Sequence, residues 1–187
     1  MTAGLPKRST IAVWGGETDH EPYERATQVP VVHSVSFGYE DVDTWQAVAL
    51  GREPGHIYSR NTNPTVRAFE EKIRDLEAAE AATSFSSGMA AISGTLFAFL
   101  RPADRVVSIR DSYGGTNKLF SEFLPSFGIE VRLCATSDFE HIEAEVARGC
   151  KLLYLETPTN PTVKIVDIER LARAAHAVDA LVVVDNT

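Results

Sequence analysis

Leu181-Val182-Val183-Val184-Asp185 is a run of four apolar residues ending on a carboxylate, the pattern of a strand covered on both faces. Working outward from it, Ala82–Phe85, Arg105–Ile109, Ile129–Cys134 and Lys151–Glu156 have the same β-rich character. Each stretch between them is long enough for a crossover helix. Strand and helix alternating in this way predict an α/β fold with a doubly wound, mainly parallel sheet. Ligands in that architecture sit beyond the carboxyl ends of the strands. The segments to inspect are therefore 86–89, 111–115, 157–161 and 185–187.

Helix signals fit the same frame. Asn63-Pro64 offers a cap followed by proline at the first helical position, and Val66, Phe69, Ile73 and Leu76 share one face, which predicts a helix from about residue 64 to 78. A second helix is expected from about Ala90 to Leu100, and Ser137-Asp138-Phe139-Glu140 matches a capping box. Residues 1–62 are rich in Gly, Pro, Thr and His and lack sustained periodicity. They are expected to form an extended N-terminal arm, with the α/β domain over 63–187.

Composition narrows the function classes. The 187 residues are 44% hydrophobic, enough for one sizeable core. Eighteen Lys+Arg against 26 Asp+Glu give a net charge of −8 with no compensating basic run, which argues against nucleic acid. Cys134 and Cys150 lack CxxC spacing and read as buried thiols of a reducing compartment. No apolar stretch reaches membrane-spanning length and no signal-type core follows Met1, so a soluble cytoplasmic protein is expected. His20, His33, His56, His141 and His176 show no metal-ligand spacing, and no metal is expected.

Each loop beyond a strand carries a candidate. Ser86-Ser87-Gly88-Met89 opens a helix; its free backbone N–H groups and dipole suit a phosphate, although Ser-Ser-Gly is also an ordinary helix start. Asp185 puts a carboxylate at the mouth of a buried strand, where it needs a partner: a cationic ring nitrogen, or else an arginine or its own loop. Tyr113, followed by Gly114 and Gly115, could stack on a flat heteroaromatic or simply pack over the sheet end. Asn160, between Pro158 and Pro161, offers a fixed carboxamide or starts a turn. Tyr58-Ser59-Arg60 places a hydroxyl and a guanidinium on one side of an extended segment.

In this order, Tyr58-Ser59-Arg60-Asn61-Thr62-Asn63-Pro64-Thr65, Ser87-Gly88-Met89, Asp111-Ser112-Tyr113-Gly114-Gly115-Thr116, Glu156-Thr157-Pro158-Thr159-Asn160-Pro161 and Val182-Val183-Val184-Asp185-Asn186-Thr187 resemble the Cys/Met-metabolism enzymes that use pyridoxal 5′-phosphate (PLP). These are cystathionine γ-synthases and γ-lyases, methionine γ-lyases and O-acylhomoserine sulfhydrylases. The resemblance runs from about residue 10 to the last residue. It implies the aspartate-aminotransferase architecture (fold type I), here incomplete, and a homotetramer built as a dimer of dimers. Tyr58, Ser59 and Arg60 would serve the cofactor phosphate of the neighbouring subunit, while Ser87, Gly88 and Met89 would serve the phosphate of their own. Tyr113 would stack on the ring and assist proton transfer, Asn160 would meet the ring oxygen or the substrate carboxylate, and Asp185 would pair with the pyridinium. Lys118 matches a basic position near the substrate.

The resemblance also implies a lysine that attaches the cofactor covalently, downstream of that aspartate. Lys7, Lys72, Lys118, Lys151 and Lys164 all precede Asp185. The expectation is thus a fragment or split half of a γ-replacement or γ-elimination enzyme, inactive alone, whose partner is the missing carboxy-terminal half. A cystathionine γ-synthase or O-acylhomoserine sulfhydrylase is favoured over a cystathionine or methionine γ-lyase. The alternative from another class is a catalytically inactive PLP-binding or interaction protein.

Overall fold

The computed structural model describes residues 26–187; Lys7, His20 and the start of the expected arm lie outside the described residues. Two compact units divide the chain, 1–84 and 85–187. The first therefore includes the helix expected to open the α/β domain.

In the first unit, α1 (Val42–Ala49) is capped by Asp41, whose side chain accepts from Thr44 N at 2.7 Å. α2 (Pro64–Leu76) starts as expected: Asn63 Oδ1 accepts from Thr65 N at 2.8 Å, and Pro64 occupies the first turn, where its missing N–H is not needed. Asn63 Nδ2 donates to Val32 O at 2.9 Å, tying the helix start to the preceding chain. The apolar stripe of α2 forms, but Val66, Phe69, Ile73 and Leu76 all remain at least 38% exposed. Ala82–Phe85 is not a strand. A strand exists only with a ladder partner, and here Ser84 is held by a side chain instead, donating from N and Oγ to Glu70 Oε1 at 2.7 and 2.9 Å.

The second unit contains α3 (Gly88–Phe99), β1 (Arg105–Ile109), α4 (Gly114–Lys118), α5 (Leu124–Ser126), β2 (Glu130–Cys134), α6 (Phe139–Ala147), β3 (Leu152–Glu156), α7 (Ile168–His176) and β4 (Leu181–Asp185). A π turn at Leu119–Phe123 joins α4 to α5, just before Pro125, which cannot donate the next helical bond. The four strands lie in the order β2-β1-β3-β4 and all pair in parallel, as expected from the sequence. Side chains alternate across the sheet and build a core on each face. Val107, Ile109, Leu153 and Leu155 pack with Ile142 and Val146 of α6 and Leu171 and Ala175 of α7. Val106, Leu152 and Tyr154 pack on the other face with Leu96 of α3, Phe120 and Leu124.

The expected capping box at Ser137 is corrected to Asp138, whose Oδ1 accepts from His141 N at 3.0 Å. One residue of register decides this, because the carboxylate sits at the cap position itself. Cys134 is buried and Cys150 half-buried, both as free thiols, and burial pushes both up from their ordinary value. No helix among the described residues is long and apolar enough to cross a membrane.

Candidate functional site

Asp185 closes β4 in register with Glu156, which closes β3. Parity puts both on the sheet face that carries Tyr154 and α3. Two carboxylates thus end adjacent strands on one face. Asp185 Oδ2 accepts from the Tyr154 hydroxyl at 3.1 Å, and Oδ1 accepts from Thr187 N at 3.1 Å and Thr187 Oγ1 at 2.7 Å. Among the described residues Asp185 has no ion pair, and its contacts with Thr187 are those of the own-loop alternative. Three of its roughly four lone-pair directions are filled, and one is left for a donor from outside.

Ser87 begins α3, with its Oγ accepting from Ala90 N at 3.1 Å. The ordinary helix-start reading is therefore real, but it uses only one of the first-turn donors. Among the described residues, the backbone N–H groups of Gly88 and Met89 have no acceptor. A Cβ built on Gly88 meets nothing within 4 Å. Open space, free N–H groups and the positive end of a 12-residue helix together suit an anion.

Tyr113 precedes α4 and is 49% exposed. A Cβ on Gly115 would stand 2.8 Å from Tyr113 Cε1 and 2.9 Å from Met89 Sδ, so Gly115 is what lets the ring and the thioether lie close. The carboxamide of Asn160 makes no hydrogen bond among the described residues, although its backbone N–H does, to Glu156 Oε1 at 2.8 Å. Peptide bonds Thr157-Pro158 and Asn160-Pro161 are cis.

Ser87, Gly88, Met89, Tyr113, Asn160 and Asp185 line one cavity of about 360 Å³, with Glu156 among its walls. That volume lies within the roughly 300–1,000 Å³ of small-molecule sites. The site is electrically divided, with a helix N-terminus and free N–H groups in one element and two carboxylates in others. A flat group with an anionic tail and a protonated ring nitrogen fits this donor set.

Other candidates are placed elsewhere. Lys118 ends α4, 60% exposed and 3.8 Å from Glu122, outside the cavity lining. In the first unit, Tyr58-Ser59-Arg60 does not run extended: Asn61 N and Thr62 N both return to Tyr58 O, at 2.8 and 3.1 Å. The chain turns there because Ser59 N donates to Val35 O at 2.8 Å and Ser59 Oγ donates to Ser34 O. Arg60 still reaches Tyr58, its guanidinium 5.1 Å from the ring centroid.

Sequence reasoning singled out neither Glu156 nor Tyr154 as a site residue. Glu156 was within reach, because the argument that picked Asp185, a carboxylate ending an apolar strand, applies to it unchanged. Tyr154 gave no such signal; a tyrosine inside a strand reads as core.

Residues 9–187 match the family model described as Cys/Met metabolism PLP-dependent enzyme. The chain is 39% identical over 160 residues to an L-methionine γ-lyase of Fusobacterium nucleatum, covering 85% of this chain and 40% of the relative. To cystathionine γ-lyase of Bacillus subtilis it is 38% identical over 181 residues, 97% of this chain and 45% of the relative. The crystal structure of cystathionine γ-synthase from Xanthomonas oryzae pv. oryzae in complex with cystathionine superposes with a TM-score of 0.79 at 30% identity, over 98% of this chain and 45% of that one. The chain thus spans less than half the length of these relatives, and its sheet is part of the fold type I architecture of PLP enzymes. On this evidence the chain belongs to the Cys/Met metabolism family of PLP-dependent enzymes.

Proposed function

We propose that this chain forms the cofactor-binding part of an enzyme that carries out γ-replacement on an O-acylhomoserine, in the manner of a cystathionine γ-synthase or O-acylhomoserine sulfhydrylase. The observation that carries the reading is the convergence of free helix N–H groups, a half-exposed tyrosine and a strand-end carboxylate on one cavity. PLP, when bound, supplies an electron sink for charge developing next to it. The Gly88 and Met89 N–H groups hold its phosphate, and Asp185 keeps its ring nitrogen protonated. Tyr113 stacks on the ring and moves a proton at the substrate, while the Asn160 carboxamide donates to the ring oxygen or the substrate carboxylate. Tyr58, Ser59 and Arg60 would reach the phosphate of a neighbouring copy, and Lys118 would serve as a basic residue near the substrate.

A second reading, γ-elimination, is favoured by two of the relatives reported above, a methionine and a cystathionine γ-lyase. The two reactions are separated by product: elimination releases ammonia and a 2-oxo acid, whereas replacement joins the carbon chain to an added thiol. The first test is binding. PLP titrated into the protein should give saturable binding that inorganic phosphate competes away, and Asp185→Ala should weaken it about tenfold or more, the scale of one lost charge-assisted contact. No saturable binding, or an Asp185→Ala variant that binds like the wild type, overturns the proposal.

A further inference from the structure

The Glu156 side chain is among the most buried charged groups in the chain, at 4% exposure, and among the described residues no lysine, arginine or histidine pairs with it. Burying a carboxylate is expensive unless its oxygens are satisfied. Here only backbone amides satisfy them. Tyr113 N donates to Oε1 and Oε2 at 3.1 and 2.9 Å, and Asn160 N donates to Oε1 at 2.8 Å. The two amides belong to loops after different strands, β1 and β3, and to the two cavity residues with ring and carboxamide free.

Holding those loops together does not require Glu156. The β1–β3 ladder pairs Val106 to Ser108 with Leu152 to Tyr154. Farther out, Lys164 Nζ meets Asp111 Oδ2 at 2.7 Å and clamps the same two loops a second time. A third tie made with a buried charge, beside Asp185 on the next strand, is a costly way to obtain stability alone. It does fix where the backbone of Tyr113 and of Asn160 stands relative to the cavity.

We propose that Glu156 is a positioning residue, which through two backbone amides sets the Tyr113 ring and the Asn160 carboxamide against the ligand of this cavity. The proposal rests on the reading that PLP occupies the cavity. A carboxylate is suited because it only accepts. In Glu156→Gln the amide group must face a backbone donor: placed at Oε2 it opposes Tyr113 N, and placed at Oε1 it opposes Asn160 N. Volume and ladder are unchanged, so the variant keeps its fold.

The test is a double-mutant cycle on the PLP-loaded protein, reading PLP affinity and the visible circular dichroism that a held ring induces in the bound cofactor. Glu156→Gln should leave the ligand-free melting temperature within a few degrees of wild type. Its PLP affinity should fall about tenfold, one decade of Kd, and its induced signal by half or more. In a Tyr113→Ala/Asn160→Ala background the same change should cost less than about twofold, because both side chains that Glu156 sets are then gone. Glu156→Asp, which keeps the charge but withdraws it by one methylene, should behave like Glu156→Gln and serves if that variant unfolds. Wild-type affinity and dichroism in both variants, or losses that multiply independently of Tyr113 and Asn160 together, overturn the proposal. A wild type that binds no PLP sinks the proposed function itself and this inference with it, so the two failures are told apart.

Discussion

The Tyr154 hydroxyl donates to Asp185 Oδ2 across adjacent parallel strands, at 3.1 Å. Tyr154 is fully buried between α3, Phe120 and the sheet, with its ring 5.0 Å from that of Phe120. The hydroxyl is thus a polar point at the edge of a mainly apolar core, aimed at the carboxylate proposed to meet the cofactor. Burial, and then the neighbouring Asp185 charge, push the phenol well above its ordinary value.

Tyr154→Phe keeps the ring packing and removes that donor. The expected outcome is a destabilisation of about 1 kcal/mol, the net value of a typical hydrogen bond, with a several-fold loss in PLP affinity as Asp185 loses its orientation. The sign of the pH dependence follows from the raised phenol. The folded state keeps a proton that the unfolded chain gives up near pH 10. The Tyr154 contribution is therefore complete below about pH 10 and is lost above it. Denaturant titrations from pH 8 to 11 should show the wild type losing stability more steeply than Tyr154→Phe; parallel curves would remove the coupling.

Much of the architecture was legible from apolar runs and their spacing, since β1 and β4 fall where Arg105–Ile109 and Leu181–Asp185 were read. Local chemistry decided what was misread. Ala82–Phe85 has strand composition but no ladder partner among the described residues, and composition cannot supply one. The cap of α6 moved from Ser137 to Asp138 because motif and register disagree by one position. In the candidate site, Tyr113, Asn160 and Asp185 could be named because each stands just beyond or at the end of a strand, where the topology directs ligands, and Ser87, Gly88 and Met89 because they open a helix whose first N–H groups are free. What stayed hidden was which side chains hold them: Glu156 acts on backbone amides 43 and 4 residues away, a relation fixed by strand order and not by sequence pattern.

Asp111 gives a second pH handle at the other end of the scale. Lys164 Nζ at 2.7 Å, and then Thr136 Oγ1 at 2.6 Å, hold its carboxyl below its ordinary value of 3.8. A depressed carboxylate contributes stability above its unfolded value, and that contribution fades as pH falls through the folded one. The wild type should therefore lose stability relative to Asp111→Asn as pH drops below about 4. Thermal unfolding of both proteins from pH 7 to 3 checks this; a stability gap that stays constant with pH would show that the Lys164 contact does not depend on the charge.

Gly88 offers a way to separate the ligand from the fold. Its Cβ position is empty space at the start of α3 and on the wall of the cavity. Replacing glycine with alanine there has no steric penalty in the protein and removes freedom from the unfolded chain, so Gly88→Ala should hold or raise stability by about 0.4–1 kcal/mol. The added methyl group nevertheless stands where an anion must approach the Gly88 and Met89 N–H groups. PLP affinity and inorganic phosphate affinity should both fall, by about tenfold or more for PLP, while thermal stability does not. If Gly88→Ala binds both as well as wild type, the anion is held elsewhere, and the N-terminus of α3 is only the helix start that Ser87 already caps.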